Sequence, residues 1–192
     1  MALKLSEGSN FTPAPAGLHN AICTMVIDLG LQSGPFGVKP KILLGWELPD
    51  CNQDDGKPYV ISRQFGATLS KQGNLRPIVE AWRGRGFTPE EVKSFDMSAL
   101  VGKPCKLLIQ HVTGDDGRTH ANIQAALKPE RGQPTTAVND LVFFDMDAPD
   151  ASAKARLPQW IQKVIDAAIP PTVKPAAAAP TAMPDFDDDL TF

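Results

Sequence analysis

The sequence has little cysteine and no long apolar run, and both shortages exclude classes of protein. Its three cysteines, Cys23, Cys51 and Cys105, are an odd number without a CxxC pair, which argues against a disulfide scaffold and a cysteine-based zinc site. No segment approaches the ~20 apolar residues of a membrane span. Residues 1–17 lack the apolar stretch of a signal peptide. We therefore expect a protein of the reducing cytoplasm with no membrane contact.

Catalytic motifs are also missing from the sequence. It has no phosphate-cradling glycine loop followed by Lys-Ser/Thr and no serine nucleophile elbow. The histidines at 19, 111 and 120 show no ligand spacing, so we expect no metal. A nuclease would need scattered carboxylates such as Asp28 and Glu47, which makes it the weakest alternative. The sequence predicts a protein that is not an enzyme and needs no cofactor.

Negative charge is concentrated at the C-terminal end. The chain carries 19 Lys+Arg and 22 Asp+Glu, a net charge of −3, and four of its aspartates lie in the last eight residues. Residues 1–184 therefore have 19 cations and 18 anions, a net charge of +1. The preceding residues 170–184 hold five prolines and five alanines, a composition that cannot build a core. This asymmetry predicts a linker over 169–184 and an interaction tail over 185–192.

Alternating apolar residues predict three strands in the first part of the chain, over 17–32, 39–49 and 59–70. In the first strand the odd positions from Ala21 to Leu29 form the predicted core face. In the second strand the predicted core face consists of Ile42, Leu44, Trp46 and Leu48. In the third strand one side carries Tyr59, Ile61, Arg63 and Phe65.

Helical signals follow the third strand. Asn74 is a predicted N-cap, and Gly84 ends the helix. The apolar stripe of this helix consists of Leu75, Ile78, Val79 and Trp82. Thr88 and Glu91 form a predicted capping box at the start of a second short helix.

The remaining segments predict a hairpin, a short strand and a final helix. The hairpin covers 103–129 around a turn at Gly114–Gly117, with Ala121, Ile123, Ala125 and Leu127 on one side of its second strand. A short strand is predicted over 139–147. The amphipathic helix over 157–168 has the stripe Leu157, Trp160, Ile161, Val164, Ile165 and Ala168.

This element order favours one fold. Three strands, a helix and two strands is the order of the OB-fold, a five-stranded, partly open Greek-key barrel. We therefore expect a mainly β protein with an OB-fold, short helices and an amphipathic C-terminal helix; a generic small barrel or sandwich is the alternative. The predicted organisation is a flexible arm over 1–16, the OB domain over 17–168, the linker and the tail.

A barrel that grips single-stranded nucleic acid needs cations for phosphates and aromatic rings for bases. The candidate contacts are Lys39, Lys41, Tyr59, Arg63, Phe65, Lys71, Arg83, Arg85, Lys106, Arg118 and His120. Phe65 suits the core or a stacking platform equally, whereas the hydroxyl of Tyr59 favours an edge. Arg83 and Arg85 could be a solvated turn or a phosphate contact. We expect Trp46, Trp82 and Trp160 in the core.

The last eight residues, DFDDDLTF, resemble the acidic tip of bacterial single-stranded DNA-binding proteins. That tip ends in aspartates, an apolar residue, proline and phenylalanine; here Thr191 stands in the position of the proline. A terminal phenylalanine places a ring and a carboxylate at one point, which suits an apolar pocket edged by Arg or Lys. The predicted partner-binding residues are Asp185, Phe186, Asp187, Asp188, Asp189, Leu190 and Phe192.

The body resembles phage-encoded single-stranded DNA-binding proteins with an OB core. The resemblance is carried by residues 15–32, 74–87, 100–111, 141–147 and 157–165, which follow one another in the order of that family. It implies a protein that coats single-stranded DNA in phage replication or recombination, in the bacterial cytoplasm, and recruits replication and recombination proteins through the tip. The alternative is an adaptor or inhibitor of host proteins with no strand-coating role. The sequence leaves the oligomeric state open, with a homodimer as one option.

Overall fold

The computed structural model describes residues 12–35, 37–114 and 117–170 of the chain. The described strands are β1 (Gly17–Gly34), β2 (Gly37–Asn52), β3 (Pro58–Gly66), β4 (Pro104–Thr113), β5 (Thr119–Leu127) and β6 (Val142–Phe144). The described α-helices are α1 (Leu75–Arg83), α2 (Pro89–Ser94), α3 (Ala151–Ala155) and α4 (Gln159–Asp166), with a 3₁₀ helix at Met97–Leu100. None of these helices is long and apolar enough to cross a membrane.

The strands form one sheet in the order β3-β2-β1-β4-β5. Neighbours on this path are antiparallel, whereas β6 adds to β1 in parallel. The prediction of a mainly β protein is confirmed. Among the described residues no backbone ladder joins the two outer strands β3 and β5, so the sheet is open between these two strands. Along the chain, α1 follows β3 and precedes β4.

The first core lies between one face of this sheet and α1. It contains the predicted face of β2, Ile42, Leu44, Trp46 and Leu48, and the predicted stripe of α1, Leu75, Ile78, Val79 and Trp82. Both predictions are confirmed. The indole Nε1 of Trp82 donates to the carbonyl of Pro104 over 2.8 Å, which satisfies its polar edge inside the core.

Two bulges in β1 overturn the predicted alternation of that strand. The pairing with β2 skips Thr24 and Leu29, and each extra residue reverses which face the following side chains occupy. Ala21 and Cys23 therefore share the first core with Val26, while Ile27 and Leu29 face the opposite side of the sheet. The prediction that all odd positions from 21 to 29 share one face is wrong.

A second core covers the opposite face of the sheet. Ile27, Leu29 and Leu43 pack there against β6, α3 and α4. From the helices it receives Ala153, Leu157, Ile161 and Ile165. The final helix begins at Gln159 and ends at Asp166, and α3 was not predicted. Trp160 is 48% exposed, so its prediction as a core residue is wrong.

Helix α2 begins as predicted, and α1 does not. Thr88 accepts from the Glu91 amide, and the Glu91 carboxylate accepts from the Thr88 amide, which confirms the capping box. Asn74 occupies the N-cap position of α1, but its side chain makes no capping hydrogen bond. Gly84 adopts φ +70° at the end of α1, a conformation that favours glycine.

The predicted hairpin of β4 and β5 is confirmed, with one change of face. The pairing skips Gln124, so the side chains after this bulge are reversed. Ile123 and Ala126 are buried, while Leu127 is 37% exposed. The predicted common face of Ile123 and Leu127 is therefore wrong.

The N-terminal segment is anchored where the structure describes it. Ala14 is 4% exposed, and its carbonyl accepts from Nε2 of His111 over 2.8 Å. Nε2 of His19 donates to the carbonyl of Pro15 over 2.9 Å. Ala14 therefore packs against the first core, while Thr12, Pro15 and Ala16 are exposed. Residues 1–11 lie outside the described residues.

Candidate functional site

A cleft of about 340 Å³ opens between the outer strands β3 and β5. We call it the β3–β5 cleft; its lining includes Gln53, Tyr59, Ser62, His120 and Trp160. Two of these residues, Tyr59 and His120, were predicted from the sequence as nucleic-acid contacts. The structure brings them together although they lie on different strands.

Trp160 supplies an aromatic surface that is 48% exposed to the β3–β5 cleft. It lies in the first turn of α4, where Ile161 and Ile165 are buried. With Leu157, which is also buried, these residues form an i, i+4 stripe that fills the second core without the indole. Trp160 therefore lies beside the buried stripe. The sequence offered one signal for its exposure: Leu157, Ile161 and Ile165 already form a complete apolar stripe without it.

Tyr59 and His120 reach the cleft from the two outer strands. Tyr59 pairs with Leu48 on β2 and is half-buried against the first core. His120 pairs with Val112 on β4 and is exposed. An indole, a phenol and an imidazole thus line one opening, together with the hydroxyl of Ser62 and the amide of Gln53. Such a lining can stack on flat rings and donate or accept hydrogen bonds.

Four of the predicted cations lie at the surface away from the cleft lining. Lys39 and Lys41 lie on β2 near the β1–β2 turn, Lys71 follows β3, and Arg118 precedes β5. Lys39, Lys71 and Arg118 are exposed, and Lys41 is partly exposed. None of the four is among the described residues that line the β3–β5 cleft.

Arg63 and Phe65 make their contacts within the protein. Nη1 of Arg63 donates to the carbonyl of Ile123 on β5, over 2.5 Å. The guanidinium carbon also lies 5.1 Å from the ring centre of Phe65. Phe65 is 3% exposed and belongs to the first core, so it offers no stacking face. Of the two predicted alternatives for Phe65, the structure has the core position, and it assigns Arg63 a contact within the protein.

Arg83 and Arg85 share a carboxylate. Arg83 Nη2 lies 2.7 Å from Glu91 Oε1, and Arg85 Nη2 lies 2.6 Å from the same oxygen. The hydrogen bond from Arg85, with those from the Thr88 amide and Arg83, lowers the pKa of Glu91 to about 2. The guanidinium of Arg83 also lies 4.3 Å from the ring centre of Phe87. Arg83 therefore stabilises the α1–α2 junction, while the side chain of Arg85 is 60% exposed.

Lys106 is also engaged by a carboxylate. Its Nζ lies 2.8 Å from Oε2 of Glu130, and its side chain is only 17% exposed. It pairs with Leu127 on β5, away from the residues of the β3–β5 cleft. The structure therefore does not bring Lys106 together with Tyr59 and His120.

A second cleft, of about 350 Å³, lies beside α1. We call it the α1 cleft. Its lining includes Trp82, Arg83, Phe95, Leu100, Lys103 and Lys128. Apolar rings and prolines form most of its surface, and the described lining residues include no carboxylate. Sequence reasoning missed this cleft, because Lys103 and Lys128 flank the β4–β5 hairpin and come together only when it folds.

Glu47 is a buried carboxylate with a structural position. It is 0% exposed and accepts from the amides of Val138 and Asn139 over 2.8 and 2.7 Å. The side-chain Nδ2 of Asn139 donates a third hydrogen bond over 2.6 Å. Glu47 therefore fastens the loop before β6 to β2, and these hydrogen bonds account for its burial.

The thiol of Cys51 contacts the imidazole of His19. Cys51 Sγ lies 3.4 Å from Nδ1 of His19. Because the carbonyl of Pro15 can only accept, Nε2 of His19 carries the hydrogen and Nδ1 accepts from the thiol. Burial and the neighbouring charge of Asp50 raise the pKa of Cys51. In the described ranges no group of three His, Cys, Asp or Glu residues is arranged to hold a metal ion.

The predicted partner-binding tail, 185–192, lies outside the described residues, as do residues 171–184 of the predicted linker. No protein-family model matches the sequence, and no curated protein matches it either.

Proposed function

We propose that this protein binds single-stranded DNA with little sequence preference and catalyses no reaction. The observation that carries the proposal is the β3–β5 cleft, where Tyr59, His120 and the exposed Trp160 line one opening. Stacking of bases on aromatic rings tolerates any sequence, because every base has a π face. Duplex DNA hides these faces, so the cleft favours unpaired strands.

The strand order supports an OB-type barrel for this role. The path β3-β2-β1-β4-β5, with α1 between β3 and β4, is the order that would close into a five-stranded barrel if β3 met β5. The side chain of Arg63 on β3 donates a hydrogen bond to the carbonyl of Ile123 on β5 and so connects these two strands. In this proposal the two outer strands and their cleft form the strand-binding surface of the barrel.

The surface cations set the expected salt dependence. Lys39, Lys41, Lys71 and Arg118 are at least partly exposed. Contact of about four cations with phosphates would give a slope of about −3 in a plot of log K against log salt. Base stacking then has to contribute a larger share of the affinity than in a strongly basic strand binder.

The acidic tail has a separate role in this proposal. Its aspartates steer it toward basic surfaces, and Leu190 and Phe192 offer apolar side chains to a pocket. We infer that the tip recruits replication or recombination proteins to the coated strand. A chain that ends at Pro184 should bind DNA at least as tightly as the full chain and lose this recruitment.

The test is fluorescence anisotropy of a labelled oligo-dT of about 30 nucleotides, at several salt concentrations, beside a duplex of equal length. Saturable single-strand binding that weakens with salt, together with much weaker duplex binding, is the expected result. Absence of single-strand binding at low salt would overturn the proposal and favour a barrel that serves a protein partner.

A further inference from the structure

We propose that a groove beside Phe143 is a docking site for a partner protein that presents a segment of interleaved cationic and apolar side chains. The groove has a volume of about 300 Å³, and we call it the Phe143 groove. Among the described lining residues it shares none with the β3–β5 cleft, and the inference does not depend on nucleic-acid binding. Three observations carry it: the apolar floor, an exposed aromatic ring and an anionic rim.

The floor of the groove is one face of the sheet where β1, β2 and β6 meet. Val26 on β1 pairs with Phe143 on β6, and Asp28 on β1 pairs with Ile42 on β2. Because paired residues point to the same side, and Val26 and Asp28 are two positions apart, these four side chains share one face. Val26 and Ile42 belong to the first core. Since none of the described lining residues belongs to α1, the groove is an end of this core that α1 leaves uncovered.

The opposite wall of the groove is the segment between α2 and the 3₁₀ helix. Phe95, Asp96 and Met97 contribute to it. The ring of Phe95 packs edge-on against that of Phe87, with 5.0 Å between the ring centres. This wall is therefore in place before any ligand binds, and a preformed wall reduces the ordering cost of binding.

Phe143 is an aromatic side chain that neither core contains. It is 41% exposed, whereas its neighbours Val142 and Phe144 are each 3% exposed and belong to the second core. Successive side chains of a strand point to opposite faces, so Phe143 lies at the groove while its neighbours fill the second core. An exposed aromatic ring at the edge of an apolar groove is typical of a surface that binds another protein.

The rim of the groove is anionic. Its carboxylates are those of Asp28, Asp96 and Asp145, and the described lining residues include no Lys, Arg or His. In each carboxylate Oδ1 accepts from a backbone amide two residues further along, over 2.8 to 2.9 Å; the donors are Gly30, Ser98 and Asp147. These bonds orient the carboxylates. Within the described part of the chain none of the three belongs to an ion pair.

The rim selects the charge of the occupant. Carboxylates attract arginine and lysine side chains and repel phosphates and acidic segments. In the described ranges no group of three carboxylates, histidines or cysteines is arranged to hold one metal ion. The three charges are instead distributed around an apolar floor, which suits several cationic side chains of one segment.

An extended basic segment fits this distribution of charge and apolar surface. Its side chains point alternately to opposite sides, so apolar side chains can lie on the floor while arginine or lysine side chains reach the rim. Because the β3–β5 cleft is lined by other residues, the protein can hold such a partner and a DNA strand at the same time.

The experiment is fluorescence anisotropy of short labelled peptides with the full chain. The probe is a peptide of about eight residues in which arginine and leucine alternate, long enough to cross the groove when extended. Two matched peptides alternate arginine with serine and glutamate with leucine. The arginine–leucine peptide should bind saturably, the arginine–serine peptide about fivefold or more weakly, and the glutamate–leucine peptide not at all. Equal binding of the two arginine peptides would overturn the proposal.

Two double variants separate the groove from general charge effects, including those of the acidic tail. Asp96→Asn with Asp145→Asn removes two rim charges, while each asparagine keeps the oxygen that accepts from the amide. Affinity for the arginine–leucine peptide should fall by about 5- to 30-fold, the loss of two partly exposed ion pairs. Asp54→Asn with Glu90→Gln removes two exposed carboxylates outside the groove and should have little effect. Equal weakening by both double variants would overturn the assignment to the groove.

Two aromatic variants distinguish this inference from the proposed function. Phe143→Ala should weaken binding of the arginine–leucine peptide by about fivefold or more and leave oligo-dT affinity unchanged. Trp160→Ala should have the reverse effects. Unchanged peptide affinity of Phe143→Ala would overturn the docking site. Absence of oligo-dT binding, with peptide binding intact, would overturn the proposed function alone.

The chain itself offers two competing occupants. Lys4 stands between Leu3 and Leu5, so residues 1–11 have the composition of the proposed partner segment. Lys4→Glu should leave the affinity for the arginine–leucine peptide unchanged; a higher affinity would assign the groove to the chain's own segment. In sedimentation velocity, self-association that Asp96→Asn with Asp145→Asn abolishes would assign it to a second copy. Either result would overturn the proposal of a partner protein.

Discussion

Arg63 on β3 donates a hydrogen bond from Nη1 to the carbonyl oxygen of Ile123 on β5. This bond connects the two outer strands, between which the described residues form no backbone ladder. A residue predicted from the sequence to contact phosphates thus has a contact inside the protein. The relationship explains how an open sheet keeps its two edges together beside the β3–β5 cleft.

Replacement of Arg63 by alanine is therefore expected to destabilise the fold. The Ile123 carbonyl loses a charged donor, and the free energy of unfolding should fall by about 1.5–3 kcal/mol in urea titrations. Lys71→Ala is the control, since Lys71 is an exposed cation near the end of β3. Unchanged stability of Arg63→Ala, combined with a large loss of oligo-dT affinity, would contradict the structural role and restore a direct contact with the strand.

Removal of the Glu47 carboxylate is expected to have a larger effect on stability. Glu47→Ala leaves the amides of Val138 and Asn139 and the Asn139 side chain without their acceptor. The free energy of unfolding should fall by about 3 kcal/mol or more, and Glu47→Gln, which keeps one acceptor oxygen, should lose less. Glu130→Ala removes a 68% exposed carboxylate and should cost under about 1 kcal/mol. Similar losses for Glu47→Ala and Glu130→Ala would refute this account.

The stability of the α1–α2 junction should depend on acid pH through Glu91. Its pKa is lowered from 4.5 to about 2 in the folded chain. Its ionised form therefore stabilises the fold above about pH 4.5, and this contribution is lost as the pH falls toward 2. Between pH 5 and pH 3 the urea midpoint of the natural chain should fall more steeply than that of Glu91→Gln.

Glu90→Gln is the matched control for this prediction, because Glu90 lies in the same first helical turn. Its midpoint should follow that of the natural chain through the same pH range. If Glu91→Gln and the natural chain had parallel profiles, the shared ion pair with Arg83 and Arg85 would not stabilise the folded state.

The three thiols should differ in reactivity. Burial raises the pKa of Cys23 to about 12 and that of Cys105 well above its usual range, and both side chains are fully buried. Cys51 is partly exposed. In a thiol titration with a disulfide reagent at pH 8, one thiol should react in the native protein and three in denaturant. Because its pKa is raised, Cys51 should react more slowly than free cysteine.

Cys51→Ser should abolish the native reaction and leave two thiols that react on unfolding. Rapid reaction of Cys23 or Cys105 in the folded chain would contradict the burial of both residues in the first core.

Periodicity predicted the parts of the fold that follow one regular pattern. The buried face of β2 and the stripe of α1 were predicted correctly, because no extra residue interrupts them. The bulges at Thr24, Leu29 and Gln124 were not predicted, since a single skipped residue leaves no mark in composition. Each bulge reversed the faces that follow it.

The candidate site was predicted less well, for a related reason. Tyr59 and His120 line one cleft, and their contact with a strand stays a prediction. The predicted cations could not be sorted without their partners. Arg85 meets Glu91 six residues away, and Lys106 meets Glu130 only in the folded chain. Trp160 was assigned to the core because helical spacing alone places it next to the buried stripe. Contacts between residues that are distant in the sequence determine where these side chains lie.

The most direct test of the central claim is the oligo-dT affinity of Trp160→Ala beside that of Phe143→Ala. Both side chains are exposed aromatics, 48% and 41%, but Trp160 alone lines the β3–β5 cleft. Loss of one stacked base costs about 1–3 kcal/mol, so Trp160→Ala should bind about 5- to 150-fold more weakly by anisotropy. Phe143→Ala should bind like the natural chain. Equal affinity of both variants would contradict the β3–β5 cleft as the strand-binding surface.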